Sequence, residues 1–479
     1  MKKNILILLL SILACSCGKW LEIQPYDTIS EEQLLGSQEG YRLLLNGIYV
    51  ELCSDDLYTG TLGCEMLEIL AGSYEIGSDS NVWGDYTDLR TYSYGTEYWR
   101  SRLDQMWNKA YSLVLDCNKI LAGIDADRNV MTEKDFHLIK GEALALRAML
   151  QFDMLRLFGS EADPDAAAIP YYTEVTTSPE ARLSGRESLE MVIGDLEDAR
   201  ELLEGDPVRT EGRMMSSTDG DDSFYRYRPL RLNYFAVTAL LARAELWGGN
   251  AAAALEYSRE VLASVEEGIF PHVERSSVIV SSGTPDRIFS TEVLFALSHA
   301  SRNTLFTSYF SPSRTTWTFR MESDLITRTI YGGGSETGGY QDDWRNRARW
   351  SGSGSNRYFY SYSDLSQGGI ENTMIPLIRT GEMYLIAAEA AAMQSGDPNT
   401  ALPYVNALRR NRGISSTMTE LDDDLLTYEY IRELYGEGQL FFMYKRRGMD
   451  PVWGQDSRKE ASEDVFVLPL PDTEADNRI

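Results

Sequence analysis

The rhythm of apolar and polar positions is clearest between Thr132 and Gly159. Phe136, Ile139, Ala143, Leu146, Leu150, Met154 and Leu157 recur there at the spacing of one buried helix face. Thr132, with Asp135 three residues on, approximates a capping box at the start, and Gly159 is expected to end the helix with a positive φ. Gly141, Ala143, Ala145 and Ala148 are small enough for a second helix to approach the backbone. Glu142, Arg147, Asp153 and Arg156 must then be either paired or exposed. The same periodicity predicts helices over Ser30 to Cys53, Arg100 to Ile124 and Ser188 to Leu203, and a short one over Glu65 to Leu70.

Two later segments repeat one another. Leu240-Leu241-Ala242-Arg243-Ala244-Glu245 passes through Gly248-Gly249-Asn250 to Ala254-Leu255-Glu256-Tyr257. Leu385-Ile386-Ala387-Ala388-Glu389-Ala390 passes through Gly396-Asp397-Pro398 to Ala401-Leu402-Pro403-Tyr404. Each reads as a helix of small and apolar residues, a glycine turn and a second helix. This is the logic of tetratricopeptide-like pairs, which nest and share a continuous core. The expected fold is mainly α, a superhelical scaffold of such pairs with a loop-rich irregular layer carrying short strands.

Two stretches break the helical rhythm: Gly72 to Trp99, and Arg275 to Asn372, both rich in glycine, serine and aromatics. Irregular segments this long are usually functional or disordered, and their aromatic content argues against disorder. Gly205 to Arg228 is polar and turn-rich, and reads as an exposed loop.

Composition narrows the function. A net charge of −28 leaves no basic surplus for phosphates or for an anionic lipid surface. There are only three histidines, His137, His272 and His299, with no HExxH, no GxSxG and no phosphate-binding glycine loop. Asp125 to Asn129 resembles the start of a calcium loop, but Val130 and Phe136 stand where a glycine and an acid are required. No metal or cofactor is expected. Cys53, Cys64 and Cys117 are read as buried single thiols, with a Cys53–Cys64 bridge left open.

The N-terminus reads as an address. Met1-Lys2-Lys3 and the apolar run Ile5 to Ala14 suit a signal peptide, and the run is too short to span a membrane. A cysteine directly after such a run resembles a bacterial lipobox. Cys17 is preferred as the lipidated residue, with Cys15 as the alternative.

Lys140-Gly141-Glu142-Ala143-Leu144-Ala145-Leu146-Arg147-Ala148 and Phe152-Asp153-Met154-Leu155-Arg156-Leu157-Phe158-Gly159 strongly resemble the most characteristic helix of SusD/RagB-family surface lipoproteins. The tail from Cys17 to Pro25, Met106-Trp107, the run Ile431 to Arg446 and Val467 to Asp472 continue the resemblance in order. Gln439 and Tyr444 depart from the family's habit. The resemblance implies a signal peptide over 1–16, a SusD-like N-terminal region over 17–230, and a RagB/SusD-like C-terminal region over 231–479 packed with it as one unit. It implies a lipid-anchored, non-enzymatic outer-membrane protein facing the cell exterior. Such a protein captures oligosaccharides, or in some members peptides, for a SusC-like TonB-dependent transporter. A surface glycoside hydrolase and a ligand-free scaffold subunit are the rival readings.

Sugars stack on aromatic faces and need polar partners for their hydroxyls. Family sites lie on loops outside the scaffold, and the two aromatic-rich insertions fit that description. Trp83 and Tyr86 from the first, and Trp317 and Trp344 from the second, are expected to share one platform, with Asp88 and Arg345 as polar partners.

Overall fold

The computed structural model describes residues 31–332, 340–353, 356–365, 369–451, 460–472 and 474. The signal segment and both candidate lipid cysteines, Cys15 and Cys17, lie outside them. The architecture is mostly helical. Helix α1 (Gln38–Glu51) is followed by α2 (Glu97–Ala126), α3 (Glu133–Phe158) and α4 (Gly185–Leu202). The repeated pairs are α5 (Tyr234–Trp247) with α6 (Ala251–Glu266), and α7 (Thr380–Ser395) with α8 (Leu402–Asn411). Helices α9 (Asp423–Leu434) and α10 (Leu440–Arg447) close the described scaffold.

Helix α3 occupies the centre, packed between α2 and α4, while α6 joins the two repeated pairs by packing on both α5 and α7. Thr132 caps α3 by accepting the Asp135 amide at 3.2 Å. The helix is buried on nearly every side rather than on one face. Glu142, Arg147, Asp153 and Arg156 are buried and paired. Glu142 accepts from Arg228 at 2.9 Å and Arg231 at 3.0 Å, Arg147 is bidentate to Asp195, and Asp153 accepts from Tyr58 and pairs with Arg156. Gly141 permits the approach of α4, since a Cβ there would lie 2.8 Å from Leu203 Cγ.

Gly159 departs from expectation, with φ −83° and ψ 150° rather than a left-handed conformation. Glycine is needed there for closeness: a Cβ would meet the Leu155 carbonyl oxygen at 2.8 Å. The buried Lys445 ammonium secures this helix end by donating to the carbonyls of Arg156, Gly159 and Phe466 at 2.7, 2.7 and 2.8 Å.

The run Ile431 to Arg446 spans the end of α9 and most of α10. The chain breaks at Gly436 and Gly438, whose φ values are +78° and +71°. Gly438 lies against the Leu62 carbonyl, and its amide donates to buried Glu68 at 2.8 Å.

The irregular layer holds two small antiparallel sheets. Strand β1 (Val293–Ser298) pairs with β4 (Met374–Arg379), and β2 (Trp350–Ser353) with β3 (Asn356–Phe359). Near the C-terminal end of the described residues, the Leu468 amide donates to the Leu157 carbonyl at 3.1 Å. Cys53, Cys64 and Cys117 are free thiols, which removes the Cys53–Cys64 bridge.

Candidate functional site

The first insertion is more ordered than its composition suggests. Asp79 caps a one-turn helix, Ser80–Trp83, by accepting the Asn81 amide at 2.9 Å, and Gly84 reverses the chain with φ +58°. A second short helix, Tyr86–Arg90, follows. The Trp99 indole, on the first turn of α2, donates to the Asp85 carbonyl at 2.7 Å and fixes this turn against the scaffold. The Tyr86 hydroxyl donates to Glu65 at 2.7 Å, and Arg102 donates to the same carboxylate at 3.0 Å. Burial raises the Glu65 carboxyl, opposed by Arg102, while burial beside Glu65 pushes the Tyr86 phenol far up. Tyr86 is therefore a neutral, fixed donor.

The second insertion reaches this point through a wide turn, Phe306–Phe310, and the irregular segment after it. The Glu75 amide donates to the Arg320 carbonyl at 2.9 Å, and their side chains form an ion pair at 3.3 Å. With the insertions joined, Trp83 and Trp317 stack at 5.7 Å and 24°, and Tyr86 meets Trp317 edge-to-face at 5.3 Å. Trp317 also stacks on Phe319 at 5.0 Å, and the Arg314 guanidinium lies 4.0 Å from its ring centre. A cavity of about 260 Å³ opens beside them, lined by Ser80, Asn81, Trp83, Asp85, Tyr98 and Trp317 among others.

Trp83, Tyr86 and Trp317 are thus brought together, while three of the anticipated residues are placed elsewhere. Asp88 is half-buried on the helix of Tyr86 and does not line the cavity; Asp85 does. Trp344 packs in a small apolar cluster with Val273, Val278 and Phe289, and its amide donates to the Arg412 carbonyl at 2.9 Å. Arg345 is a correction: it is fully buried, held by Asp343 at 2.7 Å, Glu429 at 2.9 Å and Glu433 at 3.2 Å. With those donors committed to carboxylates in the protein interior, it does not serve a ligand at the surface. Tyr98, 42% exposed, and Asn81 were missed. The signal was present in the pair Tyr98-Trp99, where one ring points inward to Asp85 and its neighbour outward.

The aromatic cluster stands on a rigid base. Phe319 stacks on buried Tyr74 at 4.5 Å and 6°, Tyr74 meets Tyr435, and Tyr435 meets Phe359 at 4.9 Å. Arg349 covers Phe359 and donates to Glu437 at 2.7 Å. Deeper still, Arg412, Arg379 and Arg345 surround Glu433; burial opposes its ionisation, but these arginines hold it well below the usual carboxylate range. Another cleft, of about 270 Å³, lies between helix ends near Trp247 and Gly248. Its Arg446 and Arg186 are already paired, with Glu389 and Asp165.

A scaffold of helical pairs thus carries an aromatic cluster on joined insertions. Residues 299–472 match the SusD family, and residues 19–213 match a family described as starch-binding associating with outer membrane. The chain belongs to the SusD/RagB family. It is 26% identical over 213 residues to SusD-like protein P25, and 29% identical over 218 residues to SusD-like protein P38, both of Formosa agariphila. These matches cover 41% and 42% of this chain and 37% and 38% of the relatives, so they span well under half the length of each. Similar folds include a SusD superfamily protein of Bacteroides thetaiotaomicron, with TM-score 0.68, 19% identity and coverage of 92% of this chain and 98% of that one. A SusD-like carbohydrate binding protein of Bacteroides vulgatus gives TM-score 0.68, 21% identity and coverage of 92% and 96%. No helix among the described residues is long and apolar enough to cross a membrane.

Proposed function

We propose that this chain is a lipid-anchored outer-membrane protein that captures oligosaccharides and passes them to a SusC-like TonB-dependent transporter. The observation that carries the binding role is the stacking of Trp83 on Trp317 across two separate insertions, beside a cavity of about 260 Å³. Asn81, Ser80 and Asp85 supply hydrogen-bonding groups around it, and Tyr98 supplies an open ring. The family description of starch binding at the outer membrane supports the same reading.

Binding without hydrolysis fits the carboxylates better. Glycoside hydrolysis needs two of them flanking the scissile bond, roughly 5–10 Å apart. Among the cavity's lining residues only Asp85 carries a carboxylate, and Glu65 beneath is committed to Tyr86 and Arg102. Incubation with neutral oligosaccharides should show retention and no shortening over time; accumulation of shorter sugars would favour the hydrolase. A panel that includes peptides separates the saccharide-binding role from the peptide-binding one.

The anchor is assigned to Cys17, on the family-like tail from Cys17 to Pro25. Several acyl chains on one residue would hold the protein stably, at about 0.8 kcal/mol per buried CH₂. Cys17→Ala should move the protein from the membrane to the soluble fraction. Loss of anchoring in Cys15→Ala instead would reassign the site.

A further inference from the structure

Helix α2 flanks a further cavity, of about 320 Å³, at the small end of the range for ligand sites of roughly 300–1,000 Å³. Trp107, Tyr111 and Leu115 recur every fourth residue and form its floor, and Tyr172 with the segment 174–179 forms its wall. Tyr111 lies thirteen positions beyond Tyr98, about 20 Å along the helix axis, so this groove is separate from the Trp83–Trp317 cavity.

Its aromatic rings are held in place before any ligand arrives. Tyr111 packs on Trp107 at 4.6 Å and meets Tyr172 edge-to-face at 5.6 Å. The Tyr111 hydroxyl donates to the Pro170 carbonyl at 3.0 Å, and the Tyr172 hydroxyl accepts the Glu180 amide at 3.2 Å. The wall is braced from below by Asn118, which donates to the carbonyls of Tyr172 and Glu174 and accepts from Arg147. Fixed rings of this kind bind without an added ordering cost.

The rim is polar and open. Asn108, Ser112, Thr177 and Ser178 are exposed on it, and the Ser112 hydroxyl donates to the Lys109 carbonyl of its own helix. The charged residues lining the groove, Glu174 and Glu474, are both acidic. Half-buried aromatic rings beside amide and hydroxyl groups suit a pyranose, which has one apolar face and an equatorial belt of hydroxyls. The acidic lining disfavours sulfated or uronic sugars.

We propose that the groove between α2 and the 172–179 segment is a second binding site, for neutral oligosaccharides. The test uses the full chain without its signal segment, titrated calorimetrically with maltoheptaose, cellohexaose, xylohexaose and mannohexaose. Trp83→Ala weakens the first site, and Ser112→Trp fills the groove from an exposed helix position without touching its floor. Residual binding to a panel member by Trp83→Ala, weakened at least about fivefold when Ser112→Trp is added, is the expected result. No residual binding to any of the four, or residual binding that Ser112→Trp leaves unchanged, overturns the proposal. If Trp83→Ala binds as the parent does while Ser112→Trp alone abolishes binding, the first site fails and the groove stands. Thermal melts of each variant confirm that the fold is retained.

Discussion

Trp317 shows what an aromatic residue contributes at this site. Its ring is in contact with Trp83, Phe319, Tyr86 and Arg314, so it orders the platform more than it offers a free stacking face. That Trp83, Tyr86 and Trp317 belong together was legible from large aromatics standing in glycine-rich stretches. The choice of Asp88 over Asp85 was not, because direction on a one-turn helix depends on the backbone around it. Arg345 was misread for another reason: its partners Glu429 and Glu433 lie 84 and 88 positions away, beyond any local pattern. Arg345→Ala leaves three buried carboxylates short of a cation and should cost about 3–5 kcal/mol, seen as a lower urea midpoint. Glu68 gives a pH-dependent prediction. Burial raises its carboxyl from 4.5 to about 7. The folded state therefore keeps a proton that the unfolded state releases, so stability falls as pH rises from 4.5 to 7. Glu68→Gln keeps an acceptor for the Gly438 amide. It should remove that slope and add on the order of 3 kcal/mol at pH 8, read from urea unfolding at pH 4.5 and pH 8.

At the scale of elements, periodicity located the scaffold helices and the two repeated pairs, because packed helices leave a local signature. It also placed Thr132 at the start of α3. It did not reveal that α3 is buried all round, since a paired buried charge and a solvated one look alike in sequence. The break at Gly436 and Gly438 was hidden in a run that otherwise reads as helix; it follows from packing against Leu62 and Phe359. Gly141 tests the close approach of α3 and α4. A side chain there would meet Leu203 and the Ala199 carbonyl at 2.8 and 3.2 Å. Gly141→Leu should destabilise the protein by about 1–3 kcal/mol through overpacking while leaving saccharide affinity unchanged in the folded fraction. Loss of affinity at full stability would give α3 a direct role in binding.

For the whole molecule, buried ion pairs join the helical scaffold to the irregular layer, as Arg345 and Arg349 of the layer reach Glu429, Glu433 and Glu437. The layer is rigid because its aromatics stack down to Tyr74 and Tyr435 and then onto buried arginine–glutamate pairs. The joined insertions are proposed to bind neutral oligosaccharide. The most direct test is calorimetric titration of the parent, Trp83→Ala and Tyr98→Ala with the saccharide that binds the parent best in the four-sugar panel. Unchanged melting temperatures and affinities at least about fivefold weaker in both variants are expected. Parent-like affinity in both, with the fold intact, would contradict it.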